Sequence, residues 1–202
     1  MSLWLADKPL VLASKSEARR RMLKAAGIPF VAKPANIDER AVEKRLKARS
    51  PRMVAAVLAR EKAIAVSDKM PGRFVVGADQ TLALGNKRFS KPANRAEARA
   101  HLRALSGKTH ELFSAVTIAR NGKSLSTRTA SARLTMRKLS KPFIERYLDE
   151  IGSAATKSVG GYQIEGLGIH LFERIEGNYF TILGLPLLPL LDYLGRSHLI
   201  AE

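Results

Sequence analysis

Short apolar runs and longer stretches with helical spacing alternate along the first half of the chain. Three short runs predict buried strands, namely Pro9–Ala13, Phe30–Ala32 and Phe74–Val76. Apolar residues at helical spacing predict a helix between Ser16 and Gly27, and Ser16 is suited to cap its first turn. The basic amphipathic stretch from Arg40 to Lys69 predicts two helices, with a break before Pro51 because proline interrupts a helix.

Two tight turns mark hairpins further along the chain. Gly85-Asn86 and Asn121-Gly122 are turn-forming pairs between strand-like arms. The other predicted elements are strands at Thr109–Arg120, Lys123–Arg137 and Ile169–Ile175, and helices after Asn94, after Ser140 and at Leu187–Leu194. Because hairpins occur beside strand–helix units, the sequence predicts one α/β domain over residues 1–202, with a mixed, twisted central sheet flanked by helices.

Composition and charge narrow the setting of this domain. The 202 residues include no cysteine, which excludes disulfides and thiolate metal sites. No apolar run approaches the roughly 18 residues of a membrane span, and Asp7 interrupts the N-terminus where a secretory signal would carry basic residues. A cytoplasmic location without membrane contact is therefore expected. The net charge of +17 favours an anionic partner, either a nucleotide or a nucleic-acid backbone.

The stretch from Phe74 to Pro92 carries the first candidate chemistry. Gly77 is interpreted as a turn after the strand, which would place the carboxylate of Asp79 at the end of a buried strand. A carboxylate in that position is costly unless a cation meets it, and Lys91 on the returning arm or a metal ion could be that cation. The plainer alternative is an exposed aspartate in a turn and a solvated lysine.

A second group of candidate residues is cationic. Ser14 lies in the turn between the first predicted strand and helix, and Arg19 lies in the first turns of that helix, where free N–H groups attract anions. Guanidinium groups add bidentate bonds to phosphate, so the arrangement predicts a phosphate site, although a solvated basic helix would show the same residues. Further along, Lys62 lies between Ala59 and Ala63, whose small side chains would let it reach inward.

Ordered motifs extend over nearly the whole chain. They are Leu12-Ala13-Ser14-x-Ser16-x-x-Arg19-Arg20, Asp38-Glu39, Ala59-x-x-Lys62-Ala63, Val76-Gly77-Ala78-Asp79, Lys91-Pro92, Leu105-Ser106-Gly107-x-Thr109-His110, the glycine-rich run from Val159 to Gly166, and Glu176-Gly177-x-x-x-x-Ile182-Leu183-Gly184-Leu185-Pro186. Together they resemble the Maf family of nucleoside triphosphate pyrophosphatases, also described as septum-formation inhibitors. The resemblance implies a nucleotide-binding cleft and hydrolysis of a nucleoside triphosphate to a monophosphate and diphosphate, with a divalent cation.

The same resemblance implies roles for the charged residues. Asp79 and Glu39 would be hard oxygen ligands for Mg²⁺ or Mn²⁺, and either could instead activate the attacking water. Lys62, Lys91 and Arg19 would stabilise the charge that develops on the phosphates. No Walker motif is present in the sequence, so the expected enzyme is not a P-loop protein.

Other matched positions would bind the phosphate and the base. Ser14 would seat a phosphate, whereas Gln163 and Glu165 would face the base or assist the metal. The chain departs from the family at Ala18, where the first of two arginines usually stands, and at Glu165, where many members have glutamine. One branch of the family acts on 7-methyl-GTP, and this chain resembles it at Gln80 and at Glu165-Gly166-Leu167-Gly168…Leu171-Phe172-Glu173-Arg174. The branch that acts on thymidine and uridine triphosphates usually has threonine after the aspartate, so the resemblance implies a preference for a methylated guanosine triphosphate.

Two other classes of function are alternatives to an enzyme. A nucleic-acid-binding protein would explain the net charge of +17, yet the chain has only 6% aromatic residues and no interleaved basic and aromatic residues for base stacking. Weak nonspecific binding to nucleic acid is still expected from charge alone. A regulatory protein of cell division is the other alternative, without a separate interaction module in the sequence. A homodimer is left open.

Overall fold

The computed structural model describes residues 3–46 and 49–201, and within them the chain forms seven strands and seven α-helices. The strands are β1 (Leu10–Leu12), β2 (Phe30–Ala32), β3 (Val75–Leu84), β4 (Lys87–Phe89), β5 (Thr109–Arg120), β6 (Lys123–Met136) and β7 (Phe172–Glu176). The helices are α1 (Glu17–Ala25), α2 (Glu39–Arg45), α3 (Pro51–Ser67), α4 (Arg95–Leu105), α5 (Lys141–Ile151), α6 (Tyr179–Ile182) and α7 (Leu187–Arg196). Three short 3₁₀ helices lie between α5 and β7.

The strands form one mixed sheet in the order β2-β1-β3-β5-β6-β7, and β4 pairs with β3. β1 runs parallel to β2 and to β3, whereas β3 with β4 and β6 with β7 are antiparallel. The α/β class and the mixed sheet with flanking helices are confirmed. None of the helices in the described residues is long and apolar enough to cross a membrane.

Local sequence signals explain where several elements begin and end. The side chain of Ser16 accepts a hydrogen bond from the backbone N–H of Arg19, so it caps α1 as predicted. The side chain of Ser50 caps α3, whose first residue is Pro51, so the predicted break between α2 and α3 is confirmed. Asn121, at φ 50°, and the glycine after it, at φ 72°, connect β5 to β6 in the left-handed backbone region that a tight hairpin requires.

The described residues belong to two compact units. The first unit is formed within residues 1–80, 113–130 and 179–202, and the second within 81–112 and 131–178. A single domain over 1–202 stays a prediction. The core of the first unit is aliphatic and fully buried, with Leu10, Val76 and Ile118 from the sheet and Leu23 and Leu190 from α1 and α7.

Two helices and a small aromatic cluster stabilise the second unit. On α4 and α5, Arg95 and Arg99 form ion pairs with Glu145, and Arg95 also pairs with Asp149. Elsewhere in this unit, the ring of His110 hydrogen-bonds the Tyr162 hydroxyl at 2.7 Å, and both rings contact Phe172. The two groups differ in exposure, since the ion pairs are partly solvated and His110 is 1% exposed.

The structure corrects the interpretation of Gly77 as a turn. β3 continues from Val75 through Gly77 and Asp79 to Leu84, so Asp79 lies in the middle of a strand and not at its end. Glycine is required at position 77 for a different physical reason. A Cβ there would lie 2.3 Å from the carbonyl oxygen of Ala59 and 2.6 Å from the backbone nitrogen of Ala63, so only glycine lets α3 pack directly on β3.

Two further expectations near the C-terminus are corrected. The strand predicted at Ile169–Ile175 begins only at Phe172, because Leu167–Leu171 forms a 3₁₀ helix. The short helix α6, at Tyr179–Ile182, was not anticipated, since four residues give too little apolar periodicity to identify a helix. The predicted final helix at Leu187–Leu194 is confirmed and extends to Arg196.

Candidate active site

Three predicted site residues meet in the first unit. The Nζ atom of Lys62 donates a hydrogen bond to Oδ1 of Asp79 at 2.6 Å and another to Oε2 of Glu39 at 2.8 Å. The side chains of Lys62 and Asp79 are each 10% exposed, whereas that of Glu39 is 51% exposed. The ammonium group therefore holds two carboxylates together at a point where one of them opens to solvent.

The positions of these residues follow from the elements that carry them. Asp79 projects from β3, Lys62 lies on α3, and Glu39 is the first residue of α2, behind the N-cap Asp38. The close packing at Gly77 brings the backbone of α3 against β3, which explains how the long side chain of Lys62 reaches Asp79 within a buried environment. The inward orientation predicted for Lys62 is confirmed. The cation that meets Asp79 is thus Lys62, which the sequence had not singled out as its partner.

Arg19 and Ser14 form the second part of the site. Nε of Arg19 donates to the carbonyl oxygen of Gly184 at 2.9 Å, and Nη1 donates to Oγ of Ser14 at 3.1 Å. Ser14 is 7% exposed, and its hydroxyl also accepts the backbone N–H of Ser16 at 3.1 Å. Both of these hydrogen-bond acceptors are neutral, so they do not compensate the positive charge of the guanidinium. The opposite charges that act on it are the nearby carboxylates of Asp79 and Glu39.

Gln80 is held by a network of carbonyl and hydroxyl oxygens. Its Nε2 atom donates to Oγ of Ser114 at 3.0 Å and to the carbonyl oxygens of Thr181 at 3.1 Å and Ile182 at 2.9 Å. Ser114, which is fully buried, donates its own hydroxyl to the Thr181 carbonyl at 2.7 Å. The amide nitrogen of Gln80 is thus hydrogen-bonded to other residues of the protein.

Burial and opposite charges act on the same residues. Burial raises the pKa of Asp79, and the neighbouring Lys62 and Arg19 oppose that rise. Burial lowers the pKa of Arg19, and Asp79 and Glu39 oppose that change, although a guanidinium stays protonated in proteins. Two perturbed groups of opposite charge that influence one another are typical of a functional site.

The carboxylates of Glu39 and Asp79 also bear on the expected metal. Within residues 3–46 and 49–201, no group of three or more His, Cys, Asp and Glu side chains is placed to hold a metal ion. The two carboxylates converge on one cation, Lys62, and Mg²⁺ is commonly held by one or two carboxylates together with substrate phosphates. This donor set fits a divalent ion that binds with a nucleotide better than it fits a permanent metal centre.

Three predicted site residues belong to the second unit. Lys91 and Glu165 are exposed there, and Gln163 is half-buried. Gln163 lines a cavity of about 190 Å³ together with Tyr147, Ile151, Ala154 and residues 166–168. The structure thus brings together Ser14, Arg19, Glu39, Lys62, Asp79 and Gln80 in the first unit, and their roles in chemistry stay predictions, as do those of the three residues in the second unit.

The sequence interpretation missed two residues that shape the site. Ser114 lies in the middle of β5, where a small polar residue in an apolar run gives no signal of function. Gly184 was noticed only as part of a C-terminal motif, and its carbonyl is the acceptor that orients Arg19. The available sequence signal was a glycine two residues before Pro186, which indicates a special backbone conformation. The structure gives Gly184 a φ of +92°.

Comparison with known proteins agrees with these motifs. Residues 9–197 match the family described as Maf-like protein. A nucleoside triphosphate pyrophosphatase of Rhodopseudomonas palustris (strain BisB18) is 59% identical over 201 residues, with 100% of both chains covered. A 7-methyl-GTP pyrophosphatase of Brucella abortus biovar 1 (strain 9-941) is 54% identical over 190 residues, with 93% of this chain and 96% of that protein covered. A solved HAM1 protein from Coxiella burnetii is a weak structural match, with a TM-score of 0.44, 16% identity and coverage of 66% of this chain and 75% of that chain. The family match and the two close relatives establish that the chain belongs to the Maf-like family.

Proposed function

We propose that the protein is a nucleoside triphosphate pyrophosphatase that cleaves between the α- and β-phosphates and releases a nucleoside monophosphate and diphosphate. The observation that carries the proposal is the pairing of Lys62 with Asp79 and Glu39 in the same unit as a neutrally anchored Arg19. The full-length relative from Rhodopseudomonas palustris bears the name of this activity at 59% identity. A triphosphate needs cations to bind and carboxylates to organise the attacking water, and both are present.

The residues of the first unit have complementary tasks in this proposal. Arg19 and the hydroxyl of Ser14 bind phosphate oxygens, and Lys62 stabilises the charge that accumulates when the α–β bond breaks. Asp79 and Glu39 would hold a divalent ion, Mg²⁺ or Mn²⁺, which would neutralise charge and polarise the phosphate. The carboxylate of Asp79, fixed by its hydrogen bond to Lys62, orients the water for attack on the phosphorus.

Residues of the second unit complete the proposal for the substrate. Lys91 adds positive charge for the phosphates, and Gln163 and Glu165 recognise the base. A carboxylate such as Glu165 accepts hydrogen bonds from the N1–H and the amino group of guanine. Methylation at N7 adds a positive charge to the base, which strengthens its attraction to the carboxylate. We therefore propose 7-methyl-GTP as the preferred substrate. The Brucella abortus relative is named for that activity at 54% identity.

A screen of product release tests the activity and the base preference together. The protein is incubated with GTP, 7-methyl-GTP, UTP and dTTP in Mg²⁺ or Mn²⁺, and both products are identified, because diphosphate with a monophosphate distinguishes α–β cleavage from β–γ cleavage. The expected result is a higher kcat/KM for 7-methyl-GTP and loss of turnover in EDTA. Phosphate release with a nucleoside diphosphate would contradict the proposed cleavage. A higher kcat/KM for UTP or dTTP would contradict the base assignment alone.

A further inference from the structure

The carbonyl of Gly184 is the acceptor that orients Arg19, and its position depends on the end of α6. The backbone N–H of Gly184 donates to the carbonyl of Thr181 at 3.1 Å, and the next residue, Leu185, donates to the carbonyl of Phe180 at 3.1 Å. These two bonds form a tight turn in which Gly184 has a φ of +92°, a conformation that favours glycine. Arg19 is therefore anchored to a turn and not to a long regular element.

Side chains from the sheet hold that turn in place. The Thr181 carbonyl accepts the hydroxyl of Ser114 at 2.7 Å and Nε2 of Gln80 at 3.1 Å, and the Ile182 carbonyl accepts the same Nε2 at 2.9 Å. The two side chains also bond to one another, at 3.0 Å between Nε2 of Gln80 and Oγ of Ser114. β3 and β5 thus grip the last carbonyls of a helix of only four residues, which its own backbone bonds would not fix.

The hydrogen-bond network ends at Arg19, the cation that is proposed to bind phosphate. Gly184 passes close to both groups, since a Cβ there would lie 3.5 Å from Nη2 of Arg19 and 3.6 Å from Oε1 of Gln80. Nε of Arg19 is held by the carbonyl of Gly184, and Nη1 is held by the hydroxyl of Ser14. A guanidinium with two of its nitrogens fixed presents its remaining N–H groups, on Nη1 and Nη2, at a defined place, which favours charge-assisted hydrogen bonds to a phosphate.

We infer that Ser114 and Gln80 are positioning residues for the reaction, which act through the turn at 181–184 to aim the Arg19 guanidinium at the substrate's phosphates. The inference rests on the proposed function, because it concerns the same phosphate site. It gives Gln80 a different task from base recognition, since the amide donors of Gln80 already bind Ser114 and the α6 carbonyls. Ser114, which the sequence left unnoticed, becomes the buried centre of the network.

A double-mutant cycle between Ser114 and Arg19 tests the inference. Ser114→Ala is expected to lower kcat/KM on the order of 10-fold, because a small displacement of a charge-stabilising group is sufficient to slow the chemistry. In an Arg19→Ala background the same substitution is expected to change kcat/KM by less than about twofold, since no guanidinium is left to position. An equal loss in both backgrounds would overturn the inference, as would unchanged kcat/KM in the single variant.

The control and the second variant separate positioning from simple stability. Thr117→Val removes a buried hydroxyl from the same strand, one that bonds Thr127 at 2.8 Å, and is expected to lower the melting temperature without lowering kcat/KM. If Ser114→Ala does not fold, Gln80→Met removes the other donor at nearly constant side-chain volume. The same coupling to Arg19→Ala is then expected, and its absence would overturn the inference.

Binding of inorganic tripolyphosphate, measured by calorimetry, keeps the inference separate from the proposed activity. Tripolyphosphate carries the anionic groups without a base or a scissile nucleotide bond. Ser114→Ala is expected to weaken its binding on the order of 10-fold with Arg19 present and by less than about twofold with Arg19→Ala. A wild-type protein that releases no diphosphate from any nucleotide would overturn the proposed function, while equal weakening in both backgrounds would overturn the positioning role.

Discussion

The two units hold two clusters of charge that are built in opposite ways. On α4 and α5, Arg99 bonds both carboxylate oxygens of Glu145, with one contact at 2.8 Å, and the side chains of Arg95, Arg99 and Glu145 are 30–40% exposed. In the first unit, Lys62 and Asp79 are each 10% exposed, and the nearby Arg19 is anchored by a serine hydroxyl and a backbone carbonyl. In the α4–α5 cluster, Arg95 and Arg99 are both paired with carboxylates. The candidate site pairs Lys62 with two carboxylates but anchors its second cation, Arg19, through neutral groups.

This difference gives a criterion for separating function from stability among charged residues. Exposed ion pairs contribute little because water already solvates their charges. Buried charges are costly, so a cluster such as Lys62 with Asp79 persists only where excellent geometry or a function compensates. Substitutions of the charged residues at the candidate site should therefore lower activity, whereas those in the α4–α5 cluster should change stability only.

The largest effect is expected from Asp79→Asn. The substitution removes the charge that is proposed to hold a divalent ion and to orient water, so kcat/KM for diphosphate release should fall on the order of 10³-fold. The melting temperature should show that the protein remains folded. Asp149→Asn, in the exposed cluster, is the matched control and should leave kcat/KM unchanged. Turnover of the Asp79 variant near the wild-type rate would remove this residue from the mechanism.

Lys62→Met should affect both activity and stability. It leaves Asp79 and Glu39 without their shared cation, and breaking a buried ion pair typically costs about 3 kcal/mol in the free energy of unfolding. The rate should fall on the order of 10²-fold if the ammonium stabilises developing charge. Urea unfolding and kinetics measure the two effects. Arg99→Met is the control in the other cluster, and an equal loss of activity there would break the distinction between the two clusters.

His110 is a buried titratable group that is kept neutral, and its effect on stability can be compared with that of the exposed, charged Glu145. Burial lowers its pKa to about 4, below the value near 6.5 expected in the unfolded chain, so the unfolded state takes up the proton first. The contribution of His110 to the free energy of unfolding should therefore be highest above pH 6.5. It should fall by up to about 3 kcal/mol as the pH decreases from 6.5 towards 4.

The pH dependence of urea unfolding, compared between wild type and His110→Gln, measures this contribution. The variant should show a flatter dependence between pH 6.5 and 4, whatever its absolute stability. A parallel dependence in the two proteins would contradict the assignment to His110.

The smallest effect is expected from Glu145→Gln. Hydrogen bonds from Arg99 lower the pKa of Glu145 to about 2, below its usual 4.5, so its contribution is present above pH 4.5 and is lost as the pH falls through about 2. At neutral pH the variant should show a slight decrease in melting temperature that diminishes with added salt, because the pairs are solvent-exposed. Diphosphate release should not change, and a lower kcat/KM would show that this cluster takes part in catalysis.

The sequence was sufficient for features that depend on local chemistry. The cap at Ser16, the hairpin at Asn121 and the proline that begins α3 are set by neighbouring residues, and all three are confirmed. Lys62 was correctly oriented because the alanines beside it leave room. Its partner Asp79 could not be identified, since the two residues meet only when β3 and α3 pack together.

Long-range packing also explains the other failures. The Ser114 hydroxyl bonds a carbonyl 67 residues away in the chain, and no local pattern encodes such a contact. Gly77 was misinterpreted because glycine serves two purposes, a left-handed turn or a close approach of two backbones, and the sequence does not distinguish them.

Gly77 also has a consequence for how the protein tolerates genetic change. Its backbone is ordinary extended strand, so a substitution table based on conformation alone would admit alanine there. A Cβ at position 77 would lie only 2.3 Å from the carbonyl oxygen of Ala59, which leaves no room for even one methyl group. Helix α3 would therefore have to move away from β3. Such a shift would carry the ammonium of Lys62 away from Asp79 without touching either residue. In a saturation library selected for activity, position 77 should therefore behave like an active-site position, although glycine has no side chain to contribute to the chemistry.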